Sequence, residues 1–183
     1  SGSISKRVDY ETKLLESDFK VELNGCDENN QLKVKLIDLS PEKNDNYVIT
    51  TRNWTVVNST GTNQYTGDSV EIILDRKDFS VTLDINTDKF CRDSKENFYP
   101  ISDFIPSADF IFNLSGCDVE NAAIIRFTEQ SNDTVTYAAV SKYEWLYDNT
   151  SSTGKMIDLT RNLQDSFDVT LKLNFANNCT SLI

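Results

Sequence analysis

Four cysteines and no histidine set the chemistry open to this 183-residue chain. Without histidine, a Ser-His-Asp or Cys-His nucleophilic site cannot be assembled within it. No CxxC spacing occurs, and Cys26, Cys91, Cys117 and Cys179 stand far apart, which disfavours zinc. Paired carboxylates could cleave a glycoside, and Glu144 with Asp148 is the nearest pair. Four apart on a strand, they would share a face but lie about 13 Å apart along it, beyond the usual separations. No catalytic residues are therefore expected. Calcium is the most plausible ion: Asp84-Ile-Asn86-Thr-Asp88 spaces oxygen ligands at alternate positions, and Asp27-Glu28 recurs as Asp118-Val-Glu120. The run lacks the glycine and distal glutamate of an EF-hand, so it reads as solvated turn residues, and no metal ligand or cofactor is assigned.

The cysteines gain meaning from a repeat. Phe19-Lys-Val-Glu-Leu-Asn-Gly-Cys26-Asp27 returns as Phe110-Ile-Phe-Asn-Leu-Ser-Gly-Cys117-Asp118, an offset of 110 − 19 = 91. The offset holds through Leu36/Phe127 and Ser40/Ser131 to Trp54/Trp145. Beyond a net deletion in the second copy, Ile72-Ile-Leu74 matches Ile157-Asp-Leu159, Phe79–Ile85 matches Phe167–Leu173, and Cys91 matches Cys179. Repetition of this kind marks an array of modules. Of the three pairings that four cysteines permit, the within-repeat one, Cys26 to Cys91 and Cys117 to Cys179, is the only one expected to respect the duplication, and it would close loops of 65 and 62 residues (91 − 26 and 179 − 117). In the chain-entropy model each is worth roughly 4 kcal/mol, a useful staple for modules of this size. Disulfides imply an oxidising, extracellular or cell-surface location.

The modules need strands. Phe19/Val21/Leu23, Leu32/Val34/Leu36 and Phe79/Val81/Leu83/Ile85 alternate with polar residues, as do Phe110/Phe112/Leu114, Ala123/Ile125/Phe127 and Phe167/Val169/Leu171/Leu173. Period two with β-branched and aromatic residues predicts half-buried strands. Turn-rich stretches such as 40–46 and 58–63 separate them, and no helical period is present. The fold class is all-β: two tandem antiparallel β-sandwich domains, each with one disulfide. Residues 1–17 read as a leader or linker, 18–99 as the first sandwich, 100–107 as a semi-rigid linker holding Pro100 and Pro106, and 108–183 as the second sandwich. Such a joint suits an extended rod.

Trp54 and Trp145 sit in alternating strands and are expected in the cores. Tyr65, Tyr137 and Tyr147 are the candidate ligand-facing aromatics: clustered on one face they would favour glycan binding. The net charge of −11 and pI near 4.4 argue against nucleic acid. No apolar run approaches membrane-spanning length, so no membrane insertion is expected. Sequons at Asn53, Asn58, Asn113, Asn132, Asn149 and Asn178 reflect an Asn- and Thr-rich composition, and Asn53 and Asn113 fall within predicted strands.

Several motifs resemble those of polycystic-kidney-disease (PKD) domains, an immunoglobulin-like family. Ile124-Ile-Arg-Phe127-Thr-Glu-Gln-Ser131 is similar to that family's apolar strand ending in Phe-x-x-x-Ser. Tyr143-Glu-Trp145-Leu-Tyr-Asp148 resembles its Tyr-x-Trp strand, and Phe167-Asp-Val-Thr-Leu171 its final Tyr-x-Val-x-Leu strand. The Gly-Asp-Gly turn is replaced by Tyr147-Asp148-Asn149 and by Val57-Asn58-Ser59. The flanking cysteines match a disulfide-bearing variant in surface proteins of the Bacteroidota. The resemblance implies non-catalytic spacer and adhesion modules of a large secreted or surface adhesin, possible association with gliding motility, and export by the type IX pathway. Its partners would be neighbouring repeats of the same polypeptide and surface glycans or proteins. The alternative is a carbohydrate- or protein-binding accessory module attached to a secreted enzyme.

Overall fold

A computed structural model describes residues 15–44, 47–118, 122–131, 139–162 and 166–183. Among the described residues the fold is all-β, with four antiparallel sheets. The first half contributes β1 (Phe19–Cys26), β2 (Leu32–Asp38), β3 (Lys43–Asn44), β4 (Tyr47–Asn58), β5 (Gly61–Thr66), β6 (Ser69–Leu74), β7 (Phe79–Thr87) and β8 (Arg92–Tyr99). One sheet runs β1-β2-β6; the other runs β3-β4-β7-β8, with β5 hairpinned onto β4. The second half contributes β9 (Phe110–Cys117), β10 (Ala123–Glu129), β11 (Val140–Tyr147), β12 (Thr150–Thr153), β13 (Met156–Arg161), β14 (Thr170–Phe175) and β15 (Thr180–Leu182). Its sheets run β13-β10-β9 and β12-β11-β14-β15.

Alternation explains why the sheets face one another. On β7 the apolar residues Phe79, Val81, Leu83 and Ile85 are all buried, on a strand whose intervening residues are only partly covered. Phe19 from one sheet meets Trp54 from the other edge-on at 5.5 Å, and Phe110 meets Trp145 likewise at 5.3 Å. Both indoles are fully buried, and each satisfies its N–H with a carbonyl, Trp54 to Gly67 and Trp145 to Gly154, both at 2.8 Å.

The repeat is legible atom by atom. Asp18 N–H donates to Ser40 Oγ and Asp109 N–H to Ser131 Oγ, each at 2.9 Å. The bulge before Cys26, which pairs with Leu32, recurs before Cys117, which pairs with Ala123. Strand pairing stays within each half among the described residues, yet buried residues of both halves form one continuous apolar cluster. Phe104, Ile105 and Ala108 carry it across the connection, after a single 3-10 turn at Ile101–Asp103. Phe104 packs on Phe79 and Tyr99, so the apolar linker residues anchor to the first half.

Two strands differ from expectation. Periodicity places a strand from Phe167, but β14 begins at Thr170; Phe167 instead packs on Phe127 and beneath Arg161. Strand β8 carries the sequence RDSKENFY, whose polar pattern shows no apolar face, because its side chains are exposed or half-exposed along its whole length. It holds the segment before β1: Ser17 N–H and Oγ–H donate to Asp93, and Lys95 pairs with Asp18 at 2.6 Å. The Lys95 ammonium holds the Asp18 carboxyl below its ordinary range, and the Ser17 donors do the same for Asp93.

The ion pair between Arg52 on β4 and Asp38 at the end of β2 ties the two first-half sheets at 2.5 Å, with only 3% of the Asp38 side chain exposed. Removing one partner of such a pair strands a buried charge. Arg52→Leu should therefore lower the unfolding free energy by about 3 kcal/mol in chemical denaturation. A change near zero would show that Asp38 is solvated without its partner.

Candidate functional site

The cysteines do not pair within repeats. Cys26 is bonded to Cys179, with Cα atoms 4.9 Å apart and 153 residues between them in sequence. Cys91 and Cys117 are free and exposed. This corrects the within-repeat expectation, and the reason is geometric. A closed pairing inside each copy is not the only one compatible with duplication. Joining the first-type cysteine of one copy to the second-type cysteine of the next respects it equally, and leaves one cysteine over at each end. In the chain-entropy model the larger loop is worth about 5 kcal/mol, native strain subtracting.

The bridge lies in a clasp with two unlike sides. On the first half, Asp27 Oδ1 accepts from the N–H groups of Asn29 and Gln31, folding a tight turn that carries Asn30 in the left-handed region at φ 61°. Asn30 then makes paired bonds to the Thr180 backbone: its Nδ2 donates to the carbonyl at 3.2 Å, and its Oδ1 accepts from the N–H at 3.0 Å. Arg76 Nη1 donates to the same carbonyl at 2.6 Å, and Cys26 N–H donates to the Asn177 carbonyl at 3.1 Å. Burial holds the Arg76 guanidinium below its ordinary pKa. The second half contributes only backbone to these four bonds. It presents that backbone from the turn between β14 and β15, in which Phe175 N–H donates to the Cys179 carbonyl and Asn178 stands at φ 66°.

The closeness of the two segments demands glycine at position 25. Its φ is +103°, and a Cβ there would lie 2.3 Å from the Asn177 carbonyl oxygen. At Gly116, the equivalent position in the second copy, a Cβ would meet nothing within 4 Å.

The other sequence-derived candidates are dispersed. Tyr65 on β5 is half-buried against the core of the first half. Tyr147 ends β11 in the second half, half-buried, its hydroxyl 2.7 Å from Ser152 Oγ and Arg161 over its ring. Tyr137 lies outside the described residues, as does Glu120. Glu144 pairs with Lys142 at 2.8 Å, and that ammonium lowers its pKa, opposite to what a general acid needs. Asp148 pairs with Arg161. Of the possible calcium ligands, Asp88 accepts from Val48 N–H and Asn86 donates to Thr51. Among the described residues no group of three or more His, Cys, Asp or Glu is arranged to hold a metal.

Sequence reasoning offered no sign of an apolar cleft of about 340 Å³ between the β9-β10 face and the segment before β14, lined by Phe110, Phe112, Ile125, Phe127, Ser166, Phe167 and Val169. Phe112 is 70% exposed and Leu114 64%. The first-half counterparts of the apolar lining residues, Phe19, Val21, Val34, Leu36, Phe79 and Val81, are all buried. Period-two alternation identifies the inward face of a strand but does not report how closely the opposing sheet approaches.

No protein-family model matches the chain, and comparison with curated proteins finds no match. No helix among the described residues is long and apolar enough to cross a membrane, and the disulfide points to a non-reducing environment.

Gly25→Ala should prevent the clasp from closing, costing about 2–3 kcal/mol and leaving Cys26 and Cys179 open to alkylation. Gly116→Ala should leave the melting temperature of the isolated chain unchanged. Equal effects of the two substitutions on melting would mean that the approach of Asn177 to Gly25 does not constrain the fold.

Proposed function

We propose that the chain comprises two tandem immunoglobulin-like modules, of the PKD type, from a large bacterial surface or secreted adhesin. Each module is a non-catalytic, stiff extracellular spacer and adhesion unit. The observation that carries this reading is the clasp: two repeated folds joined covalently near the far ends of the chain's described sequence, with four hydrogen bonds around the bridge. A joint made this way resists bending and shields what lies between its cysteines from tension. An enzyme gains nothing obvious from that property, whereas a load-bearing stalk does. The resemblance of the Trp145 and Leu171 strands to PKD motifs supports the same class, and with it an origin in the Bacteroidota and export by the type IX pathway. The rival reading, an accessory module that binds carbohydrate or protein beside a secreted enzyme, is favoured by one observation, the open cleft around Phe112. It requires a saturable ligand, which the spacer reading does not.

The test is mechanical. Held at its two ends under tension, the oxidised chain should keep the segment between Cys26 and Cys179 closed. Addition of reductant should release about 500 Å of further contour length at the extended rise per residue. Equal extension with and without reductant would contradict a load-bearing role for the clasp.

A further inference from the structure

The free cysteines are unused halves of the same clasp. Cys117 is the second-copy counterpart of Cys26, and Cys91 the first-copy counterpart of Cys179. Each keeps backbone hydrogen bonds of its bonded counterpart, while Gly116 lacks the positive φ of Gly25. Cys117 ends β9 in the register that Cys26 has in β1, and Asp118 Oδ1 accepts from Ala122 N–H as Asp27 Oδ1 does from Gln31. Around Cys91, Thr87 N–H donates to the Cys91 carbonyl at 3.0 Å and Phe90 N–H to the Thr87 carbonyl at 3.1 Å. Around Cys179 the equivalent bonds are Phe175 to Cys179 at 2.9 Å and Asn178 to Phe175 at 3.2 Å.

This turn is kept where the residues do not favour it. Phe90 takes φ 62° in the place of Asn178 at 66°, a conformation Asn tolerates and a bulky aromatic does not. Phe90 is also 93% exposed, so no packing of its ring within the chain accounts for the conformation. Strain retained without internal reward points to an external contact.

The two sides of the closed clasp predict what that contact is. The receiving side offers only backbone, at Asn177 and Thr180, so its counterparts Lys89 and Arg92 can serve with different side chains. The donating side uses Gly25, Cys26, Asn30 and Arg76, and three of these have described counterparts, Gly116, Cys117 and Arg161. Arg161, like Arg76, has a buried Nε without a partner. The space in front of Gly116, filled at Gly25 by the Asn177 carbonyl, is open.

We propose that the chain binds a second copy of itself head to tail, Cys117 of one copy bonding Cys91 of the following one, so that the modules form a continuous disulfide ladder. The inference deepens the spacer reading and takes its setting from it. Closure needs an oxidant, supplied by a small-molecule disulfide such as oxidised glutathione. The Cys117 thiolate attacks it and expels one glutathione thiolate. Cys91 of the following copy then attacks the mixed disulfide and expels the second. Two thiols are oxidised and one glutathione disulfide is reduced to two thiols.

The test uses two variants of the full chain in a glutathione redox buffer at high protein concentration. C91S retains only Cys117 unpaired, and C117S retains only Cys91. Each alone should stay monomeric, and their mixture should give a disulfide-linked dimer on non-reducing electrophoresis and by intact mass. Adding Gly116→Ala to the C91S chain should cut the dimer yield about tenfold, the effect of losing about 1.4 kcal/mol at the new junction. No dimer in the mixture, or as much dimer from either variant alone, would overturn the proposal. So would an insensitivity to Gly116→Ala. None of these outcomes alters the tension response of the single chain, so failure of the ladder and failure of the spacer reading are separately visible.

Discussion

The Cys26–Cys179 bridge is the constraint on which the arrangement of the two halves depends. Strand hydrogen bonds hold each half together but, among the described residues, none joins a strand of one to a strand of the other. What crosses is the bridge, the Asn30 and Arg76 bonds to Thr180, the Cys26 bond to Asn177, and the apolar connection through Phe104. The backbone bonds are short-range and directional, so they need the two turns held at a fixed distance. The disulfide supplies that distance, and Gly25 permits it.

Each half fills the gap between its own facing sheets, while Phe104, Ile105 and Ala108 join the two interiors. The indole of Trp54 or Trp145 fills the gap between facing sheets, and its N–H finds a carbonyl at the rim. The halves then diverge in how tightly they close. The first buries Phe19, Val21, Val34 and Leu36 and locks its sheets with the Asp38–Arg52 pair, whereas the second leaves Phe112 in an open cleft and Leu114 exposed. Position 143 is tyrosine where the first copy has Arg52, and Lys155 lies over its ring instead. In the second copy Glu129, the counterpart of Asp38, is equally buried and takes Lys155 as its partner at 4.0 Å, so the pair is kept with a different cation.

Much of the fold was legible from residue patterns. Alternation in Phe19–Leu23, Leu32–Leu36 and Phe79–Ile85 identified strands because one face of each must leave water. Polar β8 was not legible, since apart from Tyr99, which stacks on Phe79, it contributes ladder hydrogen bonds rather than an alternating apolar face. The late start of β14 was missed because Phe167 packs its half-buried ring on Phe127 without being in the sheet. The disulfide pairing failed for a different reason. Four equivalent cysteines in two copies admit both a closed pairing and a translated one, and sequence symmetry alone treats these alike. Only the position of the β14–β15 turn against Gly25 separates them. The glycine pair, Gly25 and Gly116, carried the signal, but its meaning depends on knowing what approaches.

The most direct test of this account is a disulfide map of the oxidised chain by proteolysis and mass spectrometry without reduction. One linked pair of peptides, containing Cys26 and Cys179, is expected, with Cys91 and Cys117 of the monomer recovered as alkylated thiols. Linked peptides pairing Cys26 with Cys91 and Cys117 with Cys179 would contradict it, returning each bridge to its own repeat and removing the clasp.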